Sequence, residues 1–299
     1  MPSMKAIKRR ITSVKNTKQI MKAMNLVAAS KVQKFKTKME AVRPMFHESA
    51  DFLAGGIDAH DGVESVYLSS NALAGASGVS SDSSSSDRKV AYIVITGERG
   101  LCGSYNANIF KAALTHMESK NERIIAVGAR CKEFFVRRGK TIVGNHAGVL
   151  ENVPYSVAEE VAQSLVAMFT SEDPEVKVDE IYIAYTKFET LLSHEASVVK
   201  LLPFDPSSSS GSGQKKEIIY EPDIDTYLRK AVPVYLAMFI YGAMLESSVC
   251  EQASRMTSMD AAARNADEIV DNLTLQYNRQ RQGAITQEIS EIVGGANAI

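Results

Sequence analysis

From Tyr235 to Gln287 the chain sets an apolar residue or glycine at every third or fourth position. The row is Tyr235, Met238, Gly242, Leu245, Val249, Met256, Met259, Ala263, Ala266, Val270, Leu273, Tyr277 and Ala284, broken only by Gln252, Gln280 and Gln287. A seam of period 3.5 marks a helix wound on another helix in a left-handed coiled coil. Asp223, just past Pro222, is placed to cap its start, Pro233 to kink it and Gly294-Gly295 to end it. About 70 residues of helix would run for about 105 Å. A compact globule of 299 residues would be only about 50 Å across. The expected molecule is a globule carrying a rod.

The N-terminal segment supplies a partner. Met4, Ile7, Ile11, Val14, Met21, Ala28, Val32, Phe35, Met39, Val42 and Phe46 repeat the same spacing, with Lys18 and Asn25 as polar members of the seam. Polar seam residues fix register. Residues 1–39 hold eleven Lys/Arg and no acid, whereas the rest of the chain holds 23 bases against 35 acids. From Glu246 onward there are eight acids, four Arg and no Lys. The two terminal helices are thus expected to pair with opposite charge, the longer C-terminal one overhanging at the far end.

The middle alternates strand and helix patterns. Lys89–Ile95, Arg123–Val127, Lys140–Val143, Glu180–Tyr185 and Ser197–Leu202 read as strands, with helices at Ala107–Met117, Lys132–Arg138 and Val157–Phe169. That alternation predicts a mainly parallel sheet with helices on its faces. Two serine-rich runs, 69–87 and 207–213, read as flexible surface insertions. The expected segments are a coiled-coil helix over 1–55, a flexible insertion over 56–88, an α/β domain over 89–222 and a coiled-coil helix over 223–299. Ala231–Leu245 is apolar, yet at about 22 Å it falls short of a ~30 Å hydrocarbon core and reads as buried helix. The polar start reads as no secretory signal.

Chemistry-bearing motifs are sparse. Cys102, Cys131 and Cys250 are too scattered for a disulfide framework or a CxxC zinc site, and the five histidines form no HExxH. No metal is expected, and the thiols read as buried. Thr96–Gly103 (TGERGLCG) follows the first strand as a glycine-rich turn. Its GxxGxxG spacing is neither a dinucleotide fingerprint nor a P-loop, so it reads as a turn for close helix–sheet packing. Arg99 lies close to Cys102 in that loop, without a histidine to make a nucleophile. Glu159-Glu160 and Asp267-Glu268 read as solvated faces. The basic N-terminal helix could clamp nucleic acid, but its apolar seam commits it to a helix, and no nucleic acid partner is expected.

Three stretches resemble the gamma subunit of the F-type ATP synthases: ITSVKNTKQIMKAMNLVAASK over 11–31, TGERGLCGSYN over 96–106, and Glu251–Val293 with EQASRMTSMDAAARNA and LTLQYNRQRQGAITQEISEIV. The serine-rich runs depart from the family pattern, and the paired-cysteine insertion of redox-regulated chloroplast forms is not seen. The resemblance implies an antiparallel coiled coil of the two terminal helices with a Rossmann-like α/β domain between them. It implies a torque-carrying central-stalk rotor between a proton-driven membrane c-ring and a catalytic hexamer of alpha and beta subunits, beside an epsilon/delta-type subunit. Such a subunit is peripheral to the membrane and holds no catalytic residue, cofactor or metal. By the same resemblance Arg281, Gln282 and Thr286 would make rotor–stator contacts, with Arg255 and Met24 lower on the shaft, and Tyr220 and Glu221 at the foot by the ring. The competing reading is a nucleotide-binding enzyme with a coiled-coil dimerisation stalk. The serine insertions and basic start favour the mitochondrial inner membrane, matrix side, over the bacterial plasma membrane, cytoplasmic side.

Overall fold

The computed structural model describes residues 3–58, 66–68, 88–118, 120–204 and 223–296, with the side chains of 46–58 and 294–296 left aside. Its elements are α1 (Met4–Asp58), β1 (Lys89–Ile95), α2 (Tyr105–Met117), β2 (Asn121–Val127), α3 (Ala129–Val136), β3 (Ile142–His146), a 3₁₀ turn (Val149–Glu151), α4 (Tyr155–Phe169), β4 (Glu180–Phe188), β5 (His194–Leu202) and α5 (Ile224–Ala296). Two compact units emerge, Met1–Ser30 with Arg255–Ile299, and Lys31–Ser254. Each terminal helix is therefore shared between two cores, because its apolar content changes partner along its length.

In the first unit the spacing of the sequence becomes a burial pattern. On α1, Ile7 and Ala28 are buried, and Ile11, Val14, Lys18, Met21 and Asn25 are half-buried. On α5 the protected positions are Met256, Met259, Ala263, Ala266, Val270, Leu273, Tyr277 and Gln280. The helices run antiparallel: Lys18 pairs with Asp267, and Asn25 Nδ2 donates to Met256 O at 2.9 Å. Both polar seam residues thus find cross-helix partners, as register-setting residues should. Lys5, Lys8, Arg9, Arg10, Lys15 and Lys22 are exposed. Most of the basic charge expected to match α5 faces outward instead, because the seam positions carry the contact and the lysines lie between them.

The second unit is a five-stranded sheet of order β3-β2-β1-β4-β5. β1 runs parallel to β2 and β4, β2 parallel to β3, and β5 antiparallel to β4. β1 (KVAYIVI) is a near-continuous apolar run because both of its faces are covered. Ala91, Ile93 and Ile95 face one core with Ile125, Ile181 and Ile183, while Val90, Tyr92 and Val94 face the other with Ile109, Ala113 and Phe135. The first core is closed by α4, by Phe35 and Met39 of α1, and by Leu228, Val232, Leu236, Ile240, Met244 and Val249 of α5. Here the run Ala231–Leu245 is spent. The most apolar window of α5 would suit a bilayer by composition, yet 72% of it is buried in the protein.

Several boundaries move. β5 joins antiparallel, so the sheet is mixed. α1 continues through Pro44 to Asp58, and α5 runs unbroken through Pro233. Asp223 caps α5, its Oδ1 accepting from Thr226 N at 2.7 Å. Within the expected insertion 56–88, Val66–Leu68 is described and is partly core: Tyr67 stacks on Phe169 with centroids 6.1 Å apart, and Phe204 N donates to Tyr67 O at 2.8 Å. Its aromatic and aliphatic side chains override the polar surroundings. The serine runs 69–87 and 207–213 lie outside the described residues.

Gly128, at the end of β2, has φ +97°, and a Cβ there would stand 2.4 Å from Thr96 O. Gly139 has φ +67° with nothing within 4 Å. Gly128→Ala is expected to cost about 2–4 kcal/mol, and Gly139→Ala about 1 kcal/mol. Urea unfolding of the two variants checks this; equal losses would contradict the close approach.

Candidate functional site

With strand order β3-β2-β1-β4, chain connections leave β1 in opposite directions across the sheet, and the crevice at the ends of β1 and β4 is where open α/β sheets take ligands. The GxxGxxG loop, Thr96–Gly103, sits there. Gly97 N donates to Asn106 Oδ1 at 2.8 Å. A Cβ on Gly97 would meet the Glu251 carboxylate at 2.9 Å. Ser254 Oγ donates to Cys102 O at 2.8 Å. Glu98 accepts from Ala129 N at 3.0 Å and from Leu150 N at 3.2 Å, tying this loop to the two beside it. Gly97 thus lies against the end of the Glu251 side chain, and Arg130 N donates to Gly97 O at 3.3 Å on the same loop.

On the β4 side, Ser247 Oγ accepts from Thr186 N at 3.3 Å and Glu246 Oε2 accepts from Phe188 N at 3.3 Å. Tyr105 OH donates to Ser247 O at 3.1 Å. Glu246, Ser247 and Glu251 are buried among apolar neighbours. Burial pushes the Glu246 carboxyl above its ordinary value of 4.5, against the opposing pull of the Phe188 N–H, Arg43 and Lys187. Cys102, Cys131 and Cys250 are buried free thiols. Desolvation pushes Cys131 up to about 12. Arg99 is engaged by Glu151 at 2.6 Å. Among the described residues no cluster of three His, Cys, Asp or Glu could hold a metal.

The other candidate surface is the end of α5. Every residue from Arg281 to Val293 is exposed, although the seam remains protected as far as Gln280. Among the described residues, the thirteen from Arg281 to Val293, about 20 Å of α5, pack on no other helix. Ile285, Ile289, Ile292 and Val293 are 48–66% exposed and recur at i, i+4, i+7 and i+8, which places them on one stripe. At roughly 100° per residue, Arg281 and Thr286 border that stripe and Gln282 lies within it. Thr286 Oγ1 donates to Gln282 O at 2.9 Å.

Met24 and Arg255 belong elsewhere. They lie at the other end of the same unit, where Asn25 bonds Met256 O, about 39 Å along α5 from Arg281. Met24 is half-buried, and Arg255 is 7% exposed, so of the five it offers a neighbour the least surface. Tyr220 and Glu221 lie outside the described residues. Sequence reasoning passed over Ile20, Leu26 and Val27, which are 58–71% exposed on α1. Their signal was available: they are apolar residues that fall off the seam.

The family model described as ATP synthase matches residues 3–299. The ATP synthase gamma chain of Alkaliphilus metalliredigens is 37% identical over 302 residues, covering 99% of this chain and 98% of that protein. The chain belongs to the ATP synthase gamma family. A second gamma relative, named as sodium ion specific, from Acetobacterium woodii, is 35% identical over 98% of this chain and 97% of its own length. The solved Euglena gracilis mitochondrial ATP synthase, OSCP/F1/c-ring in rotational state 3, contains a chain of the same fold: TM-score 0.67 and 19% identity over 99% of this chain and 94% of that one. An N-terminal helix, a central mixed sheet and a long C-terminal helix are thus the order of elements shared with that fold.

A carboxyl raised in the folded state contributes stability below its unfolded value, and that contribution fades as pH rises through the folded value. Glu246→Gln keeps the acceptor for Phe188 N and removes the charge. Its Tm is expected to match the parent's near pH 4.5 and to exceed it increasingly as the pH is raised. A Tm gap independent of pH would contradict the burial of an ionisable acid there.

Proposed function

We propose that this chain is the central-stalk rotor of an F-type ATP synthase, a non-catalytic subunit that passes torque from a proton-driven membrane c-ring to a surrounding hexamer of alpha and beta subunits. The observation that carries the reading is the partnerless end of α5 with its exposed apolar stripe. This end only prolongs a helix already nucleated in the coil, and a stripe of this kind marks a surface meant to be covered. An apolar collar fits the stripe. Arg281 and Thr286 on its border, with Gln282 within it, would make the intermittent polar contacts of rotor with stator. Met24, with Ile20, Leu26 and Val27 beside it on α1, would meet the collar lower down, and the exposed lysines and arginines of α1 would face acidic stator surfaces. Arg255 is assigned to supporting the coil from within. Tyr220 and Glu221 are placed at the foot, near the c-ring and the epsilon/delta-type subunit, on family resemblance alone.

The bacterial plasma membrane, cytoplasmic side, has more support than the mitochondrial inner membrane. The relatives at 35–37% identity are bacterial, and the mitochondrial chain shares 19%.

The test is a mild-detergent pull-down of the tagged chain from native membranes. Recovery of alpha, beta and c-ring subunits with ATPase activity is expected; recovery of the chain alone, as a soluble dimer, would refute the rotor. In the assembled complex, Arg281→Ala/Gln282→Ala is expected to lower ion-driven ATP synthesis about fivefold or more, since a contact that matters is worth ~1 kcal/mol or above. Unchanged synthesis would remove those two residues from the contact. A sodium requirement for synthesis would reassign the driving ion and leave the rotor intact.

A further inference from the structure

Apolar packing resists separation of two surfaces but ties no particular atom of one to an atom of the other, whereas a hydrogen bond joins one donor to one acceptor. From Leu236 to Met244 the buried face of α5 is of that kind: Leu236, Ala237, Ile240, Ala243 and Met244. Beyond Leu245 its character changes. Glu246, Ser247, Ser248, Glu251 and Gln252 are all buried. Buried polar groups cost stability unless hydrogen-bonded. Several of their bonds go to main-chain atoms, which cannot follow a turning helix as a side chain would.

We infer that the polar strip Ser247–Glu251–Ser254, seated on Thr186 of β4 and on Gly97 and Cys102 of the β1–α2 loop, is the joint that transfers torque between the α/β domain and the terminal helix. The inference rests on the rotor reading above and adds to it the place where the helix is gripped. One grip lies on β4 and the other on the loop that follows the neighbouring β1. Thr186 N donates to Ser247 Oγ at 3.3 Å on the β4 side. Ser254 Oγ donates to Cys102 O at 2.8 Å on the β1 side. Tyr105 OH, at the start of α2, adds a bond to Ser247 O at 3.1 Å. Between them, Gly97 lets its backbone lie against the Glu251 carboxylate, where any Cβ would stand 2.9 Å from it. Rotation of α5 would have to lengthen these bonds and move Glu251 from its seat on the Gly97 backbone. Beyond Ser254 the helix continues unbroken to Ala296, so a turn imposed at the strip is carried by continuous backbone hydrogen bonds.

The test uses the assembled complex with Ser247→Ala/Ser254→Ala. No-load ATP hydrolysis and subunit composition are expected to stay at parent values. Ion pumping against an opposing gradient is expected to fall about fivefold, the factor one ordinary net hydrogen bond carries. Gly97→Ala should produce the same split, and the shorter acid of Gly97→Ala/Glu251→Asp should reverse it by withdrawing the carboxylate from the new methyl. Full pumping under load by the double serine variant overturns the joint. Equal loss of hydrolysis and pumping is the signature of a fold defect; Ser254→Ala alone, which removes a single half-buried bond, then decides, and equal loss or full pumping in that variant overturns the joint. A parent complex whose hydrolysis turns no central stalk sinks the rotor reading itself, which separates the two failures.

Discussion

The α/β domain depends on one burial: the face of its sheet that carries Ala91, Ile93 and Ile95 is covered by residues Leu228 to Cys250 of α5. That cover arrives late in the chain, after the whole sheet. A parallel sheet already requires long-range closure, and contacts of large sequence separation are slow to form. Here the last element to be made completes the core laid down first. Phe35 and Met39 of α1 enter the same core, so part of each terminal helix is built into it.

The seam was legible because it obeys a single rule. Period 3.5 gave both helices and their protected positions from Ile7 to Gln280. What the rule leaves out proved as informative. Ile20, Leu26, Val27 and Ile285 are apolar yet off the seam or beyond its end, and they are the exposed surface. The basic run was legible as charge and misleading as pairing, since only seam positions decide what touches the partner helix. Lys18, being on the seam, meets Asp267. Its neighbours point to solvent.

The crevice was legible only in the negative. The spacing of Gly97, Gly100 and Gly103 did not fit a phosphate loop, and a packing turn was the natural alternative. What the glycine packs against was hidden, because Glu251 lies more than 150 positions away and nothing local announces it. The same holds for Glu98, whose two backbone partners come from separate loops. β5 was read correctly as a strand, but no pattern in its residues revealed that it runs against β4; the short connection from Phe188 to His194 was the clue, since parallel neighbours need a crossover of about a dozen residues. Tyr67 and Leu68 were lost in a serine-rich background although they are the kind of residues that seek a core.

The unpaired end of α5 bears on supply as much as on mechanics. On the rotor reading, a chain made in excess of its collar presents Ile285, Ile289, Ile292 and Val293 to water. Surplus copies would then find one another, or the degradation machinery, through the same stripe. The cell therefore has reason to match production of this chain closely to that of its collar, and to hold newly made copies briefly.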